Sequence, residues 1–193
     1  MSKQKGFITL AAAALLAAPA VAQDRSVSVQ LLGGGYTHTT NLTTAPDGHF
    51  TRGFNLGGAV GMNLSKYFGI HGDFVFTRNK GLGTVPFAGT EIDRFFYGAH
   101  LEFRYPFGNL APFIFGGGGA VTVDPRSGTN AGFERFTKVA AMAGVGLAYS
   151  IPGSPVDLLA EGKMLNYKWT TPGLDKTQWD MTYSVGLAYR FHY

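Results

Sequence analysis

Seven ionisable residues are spaced so that their side chains share one face of extended segments. In EIDRFFYGAHLEFRY, residues 91–105, polar residues alternate with bulky apolar ones, and the same alternation recurs in other segments. Successive side chains of a strand point to opposite faces, so alternating charges lie on one face together. Charges gathered in this way can pair into a network. The set consists of Asp73, His100, Glu102, Arg104, Glu161, Lys163 and Arg190.

The chemistry open to this set depends on whether its charges stay paired. Inside a narrow closed sheet an unpaired charge is costly, so we predict a salt-bridged network that fills the interior and fixes the strand register. The alternative is a gate or proton path, in which re-pairing of the same charges opens a thin water wire. Free diffusion of solutes is not expected, because an open aqueous channel generally needs about 16 strands.

Hydrolysis is a second chemistry, and it needs a hydroxyl nucleophile beside an imidazole with a carboxylate that orients the ring. The stretch YTHTTN, residues 36–41, resembles the His-x-Ser-Asn motif of the lipid A 3-O-deacylases. Thr40 stands where that motif has serine, and no acid obviously completes a triad with His38. We therefore predict no catalytic residue and no enzymatic activity. A lipid-modifying outer-membrane enzyme of the deacylase kind is the alternative.

Metal and phosphate chemistry receive no support from residue spacing. The chain has no cysteine, which excludes a thiolate metal site and a disulfide framework. The five histidines show neither paired helical spacing nor zinc-finger spacing. The runs GGG at 33–35 and GGGG at 116–119 lack the Lys-Ser/Thr pair of a phosphate loop and fall within predicted strands. We expect no metal and no cofactor.

The elements that carry these residues are alternating strands, separated by clusters of Gly, Pro, Asn and Asp. Glu161 and Lys163 share a face with Leu159 and Leu165, which predicts a bulge or a register change in the seventh strand. No segment has a helical period. We predict eight strands, near residues 26–40, 52–64, 67–77, 91–105, 110–123, 133–149, 155–169 and 178–193.

The predicted connections alternate between long and short. The long polar segments are NLTTAPDGHFT, NKGLGTVPFAGT, DPRSGTNAG and TPGLDKT. Tight turns are predicted at Ser65-Lys66, PFGN (106–109) and IPGS (151–154). In an up-and-down barrel this order places all long loops at one end and all tight turns at the other. Bacterial outer-membrane barrels have this asymmetry, with their short turns in the periplasm.

The distribution of bulky residues predicts which face of the barrel meets the surrounding solvent. Only 15% of the residues are charged, against about a quarter in soluble proteins. An eight-stranded barrel is only just wide enough for side chains, so rings would crowd its interior, whereas Gly, Ala and a few charges fit. We therefore expect the apolar face to point outward into lipid. The alternative is a secreted soluble lipocalin-like barrel whose aromatic face lines a ligand pocket.

The first residues have the features of an export signal. MSKQKGFITLAAAALLAAPAVAQD combines two lysines, an apolar core and the small-x-small triplet Ala20-Val21-Ala22. We expect cleavage of residues 1–22, which leaves residues 23–193 as one barrel domain. The signal holds two lysines and no acid, so the net charge of +4 gives no support for nucleic-acid binding.

The last residues carry a second targeting pattern. In SVGLAYRF a polar residue, a glycine and two aromatic residues stand at fixed spacing, followed by one more terminal ring. This tail resembles the C-terminal assembly signal of outer-membrane barrels, in which Phe is the more usual last residue. It has the form of an edge strand suited to β-augmentation by the barrel-assembly machinery. The matching residues are Ser184, Gly186, Tyr189, Phe191 and Tyr193.

Residues 23–193 as a whole resemble the small eight-stranded outer-membrane proteins of the OmpA-like and OmpX-like kind. The resemblance implies an all-β fold, an eight-stranded antiparallel up-and-down transmembrane β-barrel in the outer membrane of a Gram-negative cell. It also implies a monomer in contact with lipid, with the barrel-assembly machinery and periplasmic chaperones as partners during biogenesis. We expect a structural or surface-interaction role: membrane integrity, or adhesion of the outer loops to an extracellular ligand or host surface.

Overall fold

Eight long strands form a closed antiparallel barrel. A computed structural model describes residues 25–39, 49–82, 91–126, 134–171 and 174–192. The two-residue strand β2 pairs with the end of β4, and the other eight strands form the barrel, which confirms the predicted fold class. The strands are β1 (Ser26–His38), β2 (His49–Phe50), β3 (Gly53–Asn63), β4 (Phe68–Leu82), β5 (Glu91–Arg104), β6 (Leu110–Arg126), β7 (Phe136–Ser150), β8 (Val156–Thr171) and β9 (Leu174–His192).

Each barrel strand pairs with its neighbours in chain order, and the first strand pairs with the last. The closing ladder between β1 and β9 runs from the pair Ser26 and His192 to the pair His38 and Asp180. β4 also pairs with β5, which completes the ring. A closed sheet satisfies the backbone hydrogen bonds of every strand without water. Within the described residues, no helix is long and apolar enough to cross a bilayer.

Two strands extend well beyond their predicted ends. β4 continues to Leu82 rather than ending near residue 77. β9 begins at Leu174, where it pairs with Thr171 of β8. The prediction of a long loop at TPGLDKT was therefore wrong, because most of that segment belongs to the β8–β9 ladder. Polar residues are typical of loops, but they are equally typical of strand ends that extend beyond the apolar band of a barrel. Composition alone therefore did not distinguish the two.

Short connections join the strands at one end of the barrel, as predicted. They comprise residues 64–67, 105–109 and 151–155. Two of these turns need glycine, because Gly108 and Gly153 have φ angles of 60° and 73°, in the left-handed region. At the other end, residues 40–48, 83–90 and 127–133 connect successive barrel strands and lie outside the described residues.

Bulky apolar side chains point out of the barrel, as the alternation predicted. Leu31 and Leu101 leave 70% and 64% of their surface exposed, and the tail residues Tyr189 and Phe191 are exposed too. Tyr193 and the predicted signal, residues 1–22, lie outside the described residues. A barrel whose outer face is apolar and whose charged residues point inward suits lipid as its solvent. The lipocalin-like alternative required the opposite arrangement.

The lumen holds more aromatic rings than the sequence predicted. We expected aromatic rings to be too bulky for the interior. This was wrong, because glycines of β7 leave room for the rings on the neighbouring strand. A Cβ atom at Gly144 would overlap the ring of Phe115, and one at Gly146 would overlap the ring of Phe113. The buried inward rings are Tyr36, Phe96, Phe113, Phe115, Tyr167 and Trp169.

β8 is regular, and the predicted bulge or register change was wrong. Its pairing with β7 and with β9 continues without interruption past Glu161 and Lys163. Leu159 and Leu165 are buried and point into the lumen together with Lys163. The inward face of this strand therefore mixes apolar and charged residues, because the side chains in the lumen must fill its volume as well as pair its charges.

Candidate functional site in the barrel lumen

A salt-bridged cluster crosses the middle of the lumen, and we call it the central cluster. Lys163 Nζ donates a hydrogen bond of 2.7 Å to Asp73 Oδ1 and lies 3.3 Å from Glu161 Oε1. His100 Nδ1 hydrogen-bonds to the second oxygen of Asp73. Lys163 is on β8 and Asp73 on β4, four strands away in either direction around the ring. The cluster therefore joins opposite walls of the barrel.

A second group of charges, the short-turn cluster, lies nearer the tight turns. Arg104 Nη2 is 2.8 Å from Glu102 Oε1, and Arg104 Nη1 is 3.8 Å from Asp157 Oδ2. Arg190 Nη2 binds the other oxygen of Asp157 at 2.8 Å. Asp157 was not among the predicted residues, because it is the second residue of β8, directly after a turn. The seven predicted residues thus divide between this cluster and the central one.

A third cluster lies toward the long-loop end and was not predicted. Asp180 accepts a hydrogen bond of 2.8 Å from the hydroxyl of Tyr167. Arg94 Nε donates to the same hydroxyl at 3.2 Å, and Arg94 Nη1 donates to Asn79 Oδ1 at 2.6 Å. All four side chains are buried. The alternation of β5 and β9 already puts Arg94 and Asp180 on inward faces, but it does not show that they meet.

His38 belongs to this third cluster and has an acidic partner, Asp180, which was not obvious from the sequence. His38 Nδ1 is 2.6 Å from Asp180 Oδ1. His38 Nε2 is 2.8 Å from Asn79 Nδ2 and 3.3 Å from the hydroxyl of Tyr36. Both ring nitrogens therefore have polar partners within the lumen. Thr40, the matching hydroxyl residue, lies outside the described residues.

Two histidines stack in the lumen between the central and short-turn clusters. The rings of His71 and His100 are 9° from parallel, with centroids 5.0 Å apart. His71 Nδ1 is 3.3 Å from Gln30 Nε2. Ligand atoms of these two histidines and of Glu102 all lie within 4.8 Å of one another. Spacing along the chain could not detect this group, because it forms only when β4 and β5 pair His71 with His100.

A polar pocket of about 240 Å³ opens at the short-turn end of the barrel. Its wall includes Asn63, Glu102, Arg104 and Arg190. Farther along the lumen, the large side chains of Lys163, Phe96 and other residues are fully buried. The short-turn cluster is therefore accessible from its own end, while the middle of the barrel is filled by side chains.

The sequence matches one family model, described as the outer membrane protein beta-barrel domain, over residues 8–191. No curated protein has a matching sequence.

Several solved structures share the architecture. The crystal structure of Neisserial surface protein A (NspA) is 15% identical, covers 86% of this chain and 97% of that chain, and has a TM-score of 0.57. OprG from Pseudomonas aeruginosa is 14% identical, covers 90% and 100%, and has a TM-score of 0.55. The N-terminal β-barrel domain of Pseudomonas aeruginosa OprF is 15% identical, covers 86% and 97%, and has a TM-score of 0.50. At these identities the similarity shows a common fold.

Proposed function

Because this chain belongs to the outer membrane protein beta-barrel family, we propose that it is a plugged barrel with a structural and surface-interaction role and no open pore. Family membership places it in the outer membrane of a Gram-negative cell, with its apolar face in lipid. The proposal includes export through residues 1–22 and assembly through the tail pattern that contains Gly186 and Phe191. It also includes a monomeric state and handling by periplasmic chaperones and the barrel-assembly machinery.

The observation that carries the proposal is the filled lumen. Lys163 and Asp73 close its middle, and Arg94, Tyr167 and Asp180 close it again toward the long loops. Eight-stranded barrels enclose a space that side chains can fill, whereas aqueous channels occur in barrels of about 16 strands. A barrel blocked at two levels supports anchoring and display rather than solute transport.

The long-loop end supports a surface role. β4 has 15 residues, and a membrane-spanning strand needs only about 9–11. Beyond the apolar band, the outward face of β4 and its neighbours carries ion pairs. Asp93 binds Arg78 at 2.6 Å and Arg126 at 2.5 Å, and Lys80 is 3.2 Å from Glu91. A polar hairpin rim that projects past lipid can contact an extracellular ligand or a host surface.

The proposal assigns no enzymatic activity. His38 is the one candidate that the sequence motif raised, and its nitrogens contact Asp180, Asn79 and Tyr36 inside the lumen. A hydrolytic histidine needs a nitrogen within reach of a nucleophile and of substrate.

Loop shortening tests the surface role. Residues 40–48, 83–90 and 127–133 are each replaced by a short glycine-containing turn, and cells that display the protein are assayed for attachment to host cells or matrix. We expect attachment to fall to the level of cells without the protein, while the barrel keeps its heat-dependent shift on gels. Lengthening the turn at residues 64–67, at the opposite end, is the matched control and should leave attachment unchanged. Attachment that survives loop shortening would contradict the surface role.

A further inference from the structure

His71, His100 and Glu102 form a donor set inside the lumen, and we propose that they bind a divalent transition-metal ion. One ligand atom from each residue lies within 4.8 Å of the other two. Ligand atoms that share a tetrahedral zinc ion lie about 3.4 Å apart, because each is about 2.1 Å from the metal. The ligand atoms must therefore approach one another by up to about 1.4 Å, which requires one of the two stacked rings to rotate. Two imidazoles and one carboxylate suit zinc or copper better than calcium or magnesium.

His71 gives the first independent indication of a ligand. Its ring is 1% exposed, yet Nε2 has no hydrogen-bond partner among the described residues. Buried polar atoms without a partner are rare, and each one calls for an explanation such as an ion. The amide of Gln30 contacts Nδ1. The structure has the amide nitrogen of Gln30 at Nδ1, which puts the ring proton on Nε2, so a metal at Nε2 requires the amide to turn until its oxygen accepts the proton at Nδ1.

His100 and Glu102 are held in the manner of metal ligands. Asp73 hydrogen-bonds to Nδ1 of His100, which orients the ring and leaves Nε2 as the donor atom. Carboxylate–histidine–metal arrangements of this kind are usual in metal sites. Arg104 Nε and Nη2 engage Oε1 of Glu102 at 2.9 and 2.8 Å, so Oε2 is available to the ion. Asp73 and Arg104 therefore orient His100 and Glu102 for coordination of a metal ion.

Gly69, which pairs with Glu102 across the β4–β5 ladder, lies directly against the donor set. A Cβ atom at Gly69 would lie 2.8 Å from His71 Nε2 and 3.0 Å from Asn63 Oδ1. Asn63 and Glu102 both line the pocket at the short-turn end. Family membership puts this end in the periplasm, so an ion reaches the site from the periplasmic side.

The charge of the surrounding clusters favours a cation. The central and short-turn clusters contain four carboxylates against three cationic side chains, which leaves one negative charge in excess. A charge excess in a low-dielectric lumen attracts a counter-ion. The carboxylates are those of Asp73, Glu102, Asp157 and Glu161, and the cations are Arg104, Lys163 and Arg190.

Calorimetric titration of the folded, untagged protein with Zn²⁺ tests the proposal. We expect one ion per chain, and at least about 100-fold weaker binding in His71→Gln and His100→Gln, since even second-shell changes cost 10–100-fold. Gly69→Ala should weaken binding while it removes no ligand. His38→Gln is the matched control, because this buried lumen histidine lies in the third cluster, and it should bind zinc as the wild type does. The heat-dependent gel shift verifies that each variant is folded.

A spectroscopic measurement on the wild type makes the test independent of variant folding. Cu²⁺ bound at the site should give an electron paramagnetic resonance spectrum with splitting from two imidazole nitrogens. A metal lies in the plane of each imidazole that binds it, so one of the two stacked rings must rotate on binding. Absence of binding, a spectrum without two nitrogens, or equal loss of affinity in the His38 control and the His71 variant would each overturn the proposal.

Discussion

Lys163 Nζ and Asp73 Oδ1 are 2.7 Å apart, although their strands stand on opposite walls of an eight-stranded ring. Their side chains are 1% and 2% exposed. The Lys163–Asp73 pair, which we call the strut, links the two walls across the lumen. His100 hydrogen-bonds to Asp73, and Glu161 lies beside Lys163. A buried ion pair that loses one partner leaves an uncompensated charge, which costs more than the intact pair contributes.

The first prediction concerns this strut. Lys163→Met should lower the free energy of unfolding by about 3–5 kcal/mol, because Asp73 and Glu161 both lose their cationic partner in the lumen. Urea unfolding of the protein in lipid vesicles, followed by tryptophan fluorescence, measures the loss. Lys80→Met is the control: Lys80 and Glu91 are 58% and 39% exposed, and this pair should be worth less than about 1 kcal/mol. Equal losses in the two variants would show that the buried pair contributes no more to stability than the exposed pair.

The second prediction concerns the lipid-facing surface. Leu101→Arg should destabilise the inserted barrel by about 2–4 kcal/mol, because Leu101 faces outward near the middle of the apolar run from Phe95 to Tyr105. Tyr105→Arg, one residue past the short-turn end of β5, should cost only about 0–1 kcal/mol, since the headgroup region tolerates charge. Unfolding titrations in vesicles distinguish the two. A cost that does not depend on depth would be inconsistent with this membrane orientation.

The inward and outward faces of most strands could be predicted from the sequence, because lipid and lumen impose different compositions on alternate residues. Leu101 and His100 show this clearly, as neighbours on opposite faces of β5. β8 was misread because the lumen does not exclude apolar residues. Leu159 and Leu165 point inward and fill volume beside Lys163, so polarity alone misjudged that face.

The contacts across the lumen could not be predicted from the sequence. Which residues meet depends on the tilt and stagger of the strands, and the pattern of a single strand does not report them. Lys163 and Asp73 are 90 residues apart in the chain and lie on opposite walls, whereas His38 meets Asp180 because β1 pairs with β9 to close the barrel. The sequence identified charged faces correctly but could not divide them into clusters or show that His71 faces Glu102.

The third prediction concerns the glycines that make room for lumen rings. Gly146→Ala should destabilise the barrel by about 1–3 kcal/mol, because the added Cβ atom overlaps the ring of Phe113. Phe113→Leu in the same chain should recover part of that loss, which a double-mutant cycle measures. Gly162→Ala, where no atom lies within 4 Å of the new Cβ, is the control and should be nearly neutral. Additive effects at Gly146 and Phe113 would rule out direct competition for space.

The fourth prediction concerns the closing seam between β1 and β9. A Cβ atom at Gly186 would overlap the carbonyl oxygen of Leu31, so Gly186→Ala should slow barrel closure. The rate at which the heat-shifted form appears during refolding in pure lipid vesicles measures this effect without any assembly machinery. Gly116→Ala, whose new Cβ would be 3.9 Å from the nearest atom, should refold at the wild-type rate. If Gly186→Ala refolds normally in lipid but assembles poorly in cells, the glycine acts in recognition rather than in closure.

The central claim is that side chains close the lumen, and conductance across a planar lipid bilayer tests it most directly. Purified protein that shows the heat-dependent gel shift is inserted at neutral pH, and the current is recorded at fixed voltage. We expect no stable conductance steps for the wild type, and openings only when both levels of closure are removed, by combining Asp73→Ala and Lys163→Ala with Arg94→Ala and Tyr167→Ala. Stable, discrete openings of the wild-type protein would contradict the plugged barrel and favour a gate or channel.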